Sequence, residues 1–348
     1  MLERLGLDLP IIQAPMAGVS TPAMAAAVCE AGALGSIAIG AGDVSGARDA
    51  TMRLQALTRR AFNVNVFVHT PPRRSSAQEA AWLSALAPTF HQFGEEPPSS
   101  LSAIYQSFAE SDEMLRLLVE LRPAVVSFHF GLPDEAAIRA LKEAGCFLVA
   151  TATSLAEAKA AQAAGVDAVV AQGYEAGGHR GMFDPDVQDD CLGTFALTRL
   201  LARNTALPVI AAGGIMDGQG IRAALDLGAI AAQLGTAFIA CPESSADAAF
   251  RDALFSEAAH HTTMTRAISG RPARCLANAF TKLGLRIGAT PPDYPVAYDA
   301  AKALNAAAKA AGDGGFGAQW AGQGAPLARL LPAPDLIRAL GEELRAAG

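Results

Sequence analysis

Gly165-Val166-Asp167-Ala168-Val169-Val170-Ala171-Gln172-Gly173-Tyr174-Glu175-Ala176-Gly177-Gly178-His179-Arg180-Gly181 decides the fold. Gly165 stops an alanine-rich helical stretch. The apolar run from Asp167 to Ala171 then reads as a strand buried on both faces. A glycine-dense loop with one histidine follows at once. Glycines let a backbone take positive φ and approach a flat or anionic ligand closely. A histidine there is an acid/base group with an unperturbed pKa near ~6.5. A strand that ends in such a loop puts His179 at the edge of a sheet or the mouth of a barrel, where ligands bind.

The same grammar recurs along the chain. Helix, Ala-Gly and apolar strand follow one another at Glu143-Ala144-Gly145-Cys146 and at Ala163-Ala164-Gly165-Val166. Strands are predicted at Ile11–Ala14, Leu34–Ile39, Phe62–Phe67, Ala124–Phe128, Phe147–Thr151, Ala168–Ala171, Val209–Ala212 and Ala231–Leu234. Helices fit between them at Pro22–Ala31, Ser45–Arg59, Asp134–Ala144, Ser154–Ala164, Gly193–Ala202 and Gly218–Leu227, with Thr21, Asp134 and Ser154 as caps. Eight such units predict an α/β protein built on a TIM (β/α)8 barrel, a closed barrel more readily than an open sheet.

Two stretches break the rhythm. Residues from about 70 to 120 exceed one loop and one helix, with Pro71-Pro72 and Pro97-Pro98 marking turns and a helix predicted over Leu101–Leu121. Residues 242–310 read as an inserted, mostly helical cap or substrate domain over a barrel formed by 1–241 plus 311–348. Pro334–Ala346 reads as a last helix packing back on the barrel.

Composition narrows the function. The 348 residues are 51% hydrophobic and 18% charged, which favours a globular chain over a disordered one. A net charge of -7 supplies no basic face for nucleic acid. No apolar run reaches the ~18 residues of a membrane span. The N-terminal residues carry no apolar signal region, so the cytoplasm is the default compartment. Cys29, Cys146, Cys191, Cys241 and Cys275 are scattered, so neither a disulfide framework nor a metal site is expected. Cys241 has no adjacent histidine and reads as packing rather than as a nucleophile. The adjacent pair His260-His261 reads as surface.

Strand ends are where barrels hold their chemistry. These ends carry Ala14-Pro15-Met16, Asn65, His129, the loop from Gln172 with Gly177 and Gly178, Gly213-Gly214, and Gln233-Leu234-Gly235-Thr236. Glycines after the seventh and eighth strands are the barrel's usual phosphate site, to which the Thr236 hydroxyl can add. A phosphorylated cofactor follows, and flavin mononucleotide (FMN) fits best. The Ala14-Pro15-Met16 turn can lie along a ring, while the amides of Asn65 and Gln172 can pair with its polar edge. Taken singly, Met16 is also ordinary core filling and Asn65 an ordinary strand-end amide.

Together with Ser127-Phe128-His129-Phe130-Gly131, Ala212-Gly213-Gly214-Ile215 and Gln233-Leu234-Gly235-Thr236-Ala237-Phe238, the glycine–histidine loop resembles the nitronate monooxygenases, once called 2-nitropropane dioxygenases. The likeness runs in order over nearly the whole chain. Ala240-Cys241-Pro242-Glu243-Ser244, Tyr294 to Lys302 and Trp320-Ala321-Gly322-Gln323-Gly324 resemble the class I branch. The resemblance implies non-covalent FMN, no metal, and oxidation of alkyl nitronates such as propionate 3-nitronate with O2 to a carbonyl compound and nitrite through a flavosemiquinone. It places His179 as the catalytic residue, with His129, Tyr105, Tyr294, Tyr298 and Lys302 around the substrate, in a monomer or homodimer. Three alternatives stay open at this point. One is an NAD(P)H-dependent FMN reductase of quinone or enoyl-thioester type. Another is a non-catalytic flavin- or phosphate-binding barrel. The third is a phosphosugar isomerase or synthase barrel, which would keep the phosphate site without flavin.

Overall fold

The computed structural model describes residues 1–348. Its strands are β1 (Ile11–Gln13), β2 (Gly35–Ala38), β3 (Phe62–Phe67), β4 (Val125–His129), β5 (Phe147–Ala152), β6 (Ala168–Gln172), β7 (Gly178–His179), β8 (Val209–Ala212), β9 (Ala231–Leu234), β10 (Thr262–Thr265) and β11 (Ala273–Leu276). Eight of them form one parallel sheet in the order β1-β9-β8-β6-β5-β4-β3-β2, which closes where Ile12 pairs with Leu34. The eight predicted strands are these eight, shifted at most by a residue or two at their ends.

The helices are α1 (Leu2–Leu5), α2 (Pro22–Glu30), α3 (Val44–Leu57), α4 (Ser76–Gln92), α5 (Asp112–Leu121), α6 (Glu135–Glu143), α7 (Leu155–Ala164), α8 (Thr194–Asn204), α9 (Gly218–Asp226), α10 (Ala248–Leu254), α11 (Ala279–Gly284), α12 (Val296–Ala310) and α13 (Ala333–Ala346). Caps start them where the sequence places them. The side chains of Thr21, Asp134 and Ser154 accept from the backbone N–H groups of Met24, Ala137 and Glu157. Gly165 ends α7 in the left-handed region at φ 84°. The tail helix α13 packs against α2 and α9, as expected.

Strand alternation sorts the side chains. Ile12, Val125, Val149, Val170 and Ile210 fill the barrel floor, closed from below by Leu2 and Leu5 of α1. Val64, Val66, Val126 and Leu148 face outward into the helix layer. Above the floor the inward positions turn polar: Asn65, Ser127, His129, Thr151, Gln172 and Gln233.

Two elements depart from the sequence reading. The helix predicted over Leu101–Leu121 occupies only Asp112–Leu121, behind one 3-10 turn at Phe108–Glu110. Ser107 and Ser111 each accept a backbone N–H and cap these pieces separately, which breaks the continuous helix. The unpredicted helix is α4, capped by Ser75 and running through Pro88. Its buried residues Trp82, Leu83, Leu86 and Phe90 join Leu101, Ile268, Phe280, Leu304 and Phe316 in a second hydrophobic core. The inserted segment itself holds α10, α11 and α12, and also an antiparallel ribbon, β10 with β11. β11 pairs on its other side with β7, so Ala273 lies opposite His179 and Arg274 opposite Gly178.

Candidate active site

A cavity of about 410 Å³ opens at the carboxyl ends of the barrel strands. That lies within the roughly 300–1,000 Å³ of small-molecule sites. The structure brings together on its wall every predicted site residue but one: Ala14, Pro15, Met16, Asn65, Tyr105, His129, Gln172, Gly177, Gly178, His179, Gly213, Gly214, Gln233, Gly235, Thr236, Tyr294, Tyr298 and Lys302. Leu234 is the exception. It is 1% exposed and packs outward among Met24, Ile221 and Leu336, because its neighbour Gln233 takes the inward position on the strand. Only its backbone serves the site, where its carbonyl accepts from Ala14 N–H at 2.8 Å.

At one end the wall is bare backbone. Gly213 and Gly214 adopt φ 123° and 70° after β8, conformations that favour glycine. The N–H groups of Gly213, Gly214, Gly235 and Thr236 donate to no acceptor in the protein. The Thr236 hydroxyl accepts from Gly322 N–H at 2.9 Å, which leaves its own proton to donate. Such a cluster of free donors is built for an anion. Not one Asp or Glu lines the cavity; its charged or chargeable side chains, tyrosines apart, are His129, His179 and Lys302.

The loop that carries His179 is held from several sides. The Gln172 side-chain amide donates to the His179 carbonyl at 2.9 Å and accepts from Gly181 N–H at 2.7 Å. One N–H and one lone pair of that amide are thus taken by the loop, so Gln172 shapes the cavity wall and keeps a second N–H and a second lone pair. Asn65 Nδ2 donates to Ser127 O and Oγ, leaving its amide oxygen without a protein partner. Arg180, 1% exposed, pairs with Asp189 through two bonds of 2.8 and 2.9 Å and donates to the Gln172 carbonyl at 2.7 Å. Gly177 meets the tail so closely that a Cβ there would lie 2.4 Å from Gly322 N.

His179 Nε2 lies 2.8 Å from Ser269 Oγ, and that hydroxyl is 3.3 Å from the Arg271 carbonyl. Trp320, Tyr294, Phe130 and Tyr298 surround the imidazole at ring distances of 5.1, 5.4, 5.5 and 6.3 Å. His129 lies 3.1 Å from Thr151 Oγ1 and 3.3 Å from the His179 carbonyl. Burial pushes His179 well below its ordinary value, and the neighbouring His129, Arg271 and His69 push the same way. Burial and Arg271 lower His69, and burial above all lowers His129, each to about 4. Burial also raises Tyr105 to about 12, raises Tyr294 and Tyr298, and lowers Lys302, whose ammonium stacks on the rings of Tyr105 and Tyr298.

These neutral histidines have a consequence for acid stability. An unfolded histidine binds its proton below ~6.5, whereas His69 and His129 resist until about 4. Their share of stability is complete above the unfolded value and is lost as pH falls toward the folded one. Two such groups should lower Tm by roughly 5 °C between pH 7 and pH 5. A melting series over that range checks it, and His69→Phe should flatten the slope.

Sequence reasoning did not single out Ser269, Arg271, His69 or Thr151. Phe130 and Trp320 fell within quoted motifs but had no role. Cys241 is fully buried with its thiol pushed up to about 12 by burial, so it is packing, as expected. His260 and His261 are exposed, also as expected.

Residues 1–343 match the family described as Nitronate monooxygenase. The chain belongs to the nitronate monooxygenase family. It is 61% identical to the nitronate monooxygenase of Paraburkholderia phytofirmans, over 99% of this chain and 94% of that one. It is 56% identical to the nitronate monooxygenase of Pseudomonas aeruginosa, over 98% and 97%. Among solved structures, the nitroalkane oxidase from Streptomyces ansochromogenes aligns with a TM-score of 0.89 and 41% identity, covering 99% of this chain and 98% of that one. FabK from Thermotoga maritima aligns at 0.75 and 30%, covering 99% and 95%. Nitronate monooxygenases are flavoenzymes, and this chain is an oxidoreductase that oxidises nitronates. No helix is long and apolar enough to cross a membrane.

Proposed function

We propose that this nitronate monooxygenase uses FMN and dioxygen to convert alkyl nitronates into a carbonyl compound and nitrite. The observation that carries this reading is a barrel-mouth cavity lined by free backbone donors, tyrosines and a lysine, with no carboxylate. The N–H groups of Gly213, Gly214, Gly235 and Thr236 would hold the phosphate, with the Ala14-Pro15-Met16 turn along the ring and the amides of Asn65, Gln172 and Gln233 at its polar edge. When bound, FMN supplies the electron acceptor for the nitronate. Everything else falls to the chain.

With the Ser269 hydroxyl donating to the Arg271 carbonyl, its Oγ accepts from His179 Nε2–H. Nδ1 is then the unprotonated nitrogen. A neutral nitroalkane can lose its α-proton to Nδ1, whereas a nitronate arrives without that proton. Tyr294 Oη has no protein partner, and it can donate to a nitro oxygen together with Lys302 and Tyr298. Residues 242–310 act as the cap over the barrel of 1–241 plus 311–348, and α4 is part of the same lid because it shares the second core.

The test is the visible spectrum of the purified enzyme, followed anaerobically after ethyl nitronate or propionate 3-nitronate and, separately, after NADH. A flavin spectrum that responds to nitronate within seconds and ignores NADH is the expected result. Bleaching by NADH with no response to nitronate would move the chain to a reductase. A colourless protein that fails to take up FMN would overturn the cofactor.

A further inference from the structure

Arg271 is a buried cation without a carboxylate. Its residue is 3% exposed, it forms no ion pair, and its Nε has no partner. One guanidinium nitrogen donates to the Met182 carbonyl. The nearest acidic groups on the packed elements are spent elsewhere. Glu157 accepts from Thr153 and Phe183, and Asp184 accepts from Asp186 N–H. Arg266, the other cation nearby, pairs with Asp186. An unpaired buried charge is costly, and it persists where something else uses it.

The guanidinium carbon lies 4.4 Å from the centre of the Phe130 ring. The edge-on neighbour of that ring is His179, at 5.5 Å, and Tyr294 stands at 5.3 Å. Phe130 holds this place at φ 76°, a conformation a bulky residue seldom adopts. His129 and His69 touch the same ring at 4.4 and 6.4 Å. A fixed positive charge thus stands one phenyl ring behind the imidazole, in an interior that screens it poorly.

We propose that Arg271 is a specificity-determining residue: its charge favours a substrate that arrives as an anion and disfavours the imidazolium that a neutral nitroalkane would create on His179. The inference rests on the reading of His179 as the base for neutral nitroalkanes. The groups facing His179 from other elements are His129, His69, Tyr294, Tyr298, Trp320 and Ser269, none of them acidic at neutral pH, so no carboxylate stands on the imidazole side of the field. Arg271 itself faces Tyr294, Arg266, Asp184 and Glu157.

Ethyl nitronate and nitroethane differ by one proton, which makes them the probes. Arg271→Gln removes the charge and keeps a donor near the Met182 carbonyl; Arg271→Lys keeps the charge. A unit charge about 10 Å away in a poorly screened interior gives about a tenfold effect. The Gln enzyme should therefore lose about tenfold in kcat/KM for ethyl nitronate through KM, with kcat within about twofold. Its kcat/KM for nitroethane should hold or rise, and the lower limb of that pH profile should move up as the imidazole becomes more basic. The Lys enzyme should keep the ratio of the two substrates near the starting value. Equal losses on both substrates, or an unchanged ratio, would overturn the proposal. If nitroethane is turned over by neither protein, KM for ethyl nitronate decides: a rise reversed by Lys supports the role, and an unchanged KM ends it. A Gln enzyme too unstable to assay leaves the decision to Lys against Arg271→Met. Failure of the unaltered enzyme to oxidise ethyl nitronate at all would sink the parent reading, and this inference with it.

Discussion

His179→Asn should cut kcat/KM for nitroethane by about 10²–10⁴-fold, the usual worth of a positioned general base. It should cost ethyl nitronate less than about tenfold, because that substrate carries no α-proton to remove. Asparagine overlays the imidazole only as far as Nδ1, so the variant loses the base and also the bond from Nε2 to Ser269, 2.8 Å in the native enzyme. The measurement is steady-state kinetics on both substrates from about pH 5 to 9. Because His179 is held well below its ordinary value, the native nitroethane rate should show no histidine limb near ~6.5. Equal losses on the two substrates would leave His179 as a binding group only.

Gly177→Ala should have the largest structural effect. An added methyl carbon would lie 2.4 Å from Gly322 N, 2.5 Å from the Ala321 carbonyl carbon and 2.8 Å from the Ala321 Cα. All three are backbone atoms, so no side chain can swing away. Either the 175–178 loop or the tail must shift. A tail shift breaks the bond from Gly322 N–H to the Thr236 hydroxyl and the one from Gln323 N–H to the Glu175 carbonyl, each 2.9 Å. It also moves Trp320 away from His179. The expected result is a flavin dissociation constant raised at least about tenfold and a Tm lower by roughly 2–4 °C, since overpacking against fixed atoms costs about 1–3 kcal/mol or more. Flavin released on dialysis and a melting curve measure both. A yellow, native-melting Gly177→Ala protein would mean that the loop absorbs the methyl without consequence.

Much of this architecture is written in local pattern. Eight strand–helix units are visible because burial on both faces leaves uninterrupted apolar runs, and because caps such as Thr21, Asp134 and Ser154 act within three residues of themselves. The glycine pairs and amides at strand ends could be placed in one site because a closed parallel barrel brings every carboxyl end to one face. The assignment of Leu234 to the cavity failed for a reason also present in the chain: alternation allows only one of Gln233 and Leu234 to point inward. The helix α4 carries an apolar stripe of Trp82, Leu83, Leu86 and Phe90 together with a breaker, Pro88, so its local signals conflict.

The residues around His179 that went unforeseen share a different property. Ser269 and Arg271 lie about ninety residues along the chain from His179, and Trp320 farther still. They reach it because β11 pairs with β7 and because the tail lies against Gly177. No short-range preference encodes a two-residue strand joining a distant ribbon; the packed second core, with residues from α4, α11 and α12 beside Cys275 of β11, supports the register of that pairing. Periodicity and capping act over a few residues, so the barrel and its strand-end chemistry follow from the order of amino acids alone. Charge balance in a buried pocket depends on segments that meet only after the barrel has closed, so the neutrality of the histidines and the field of Arg271 belong to the folded molecule.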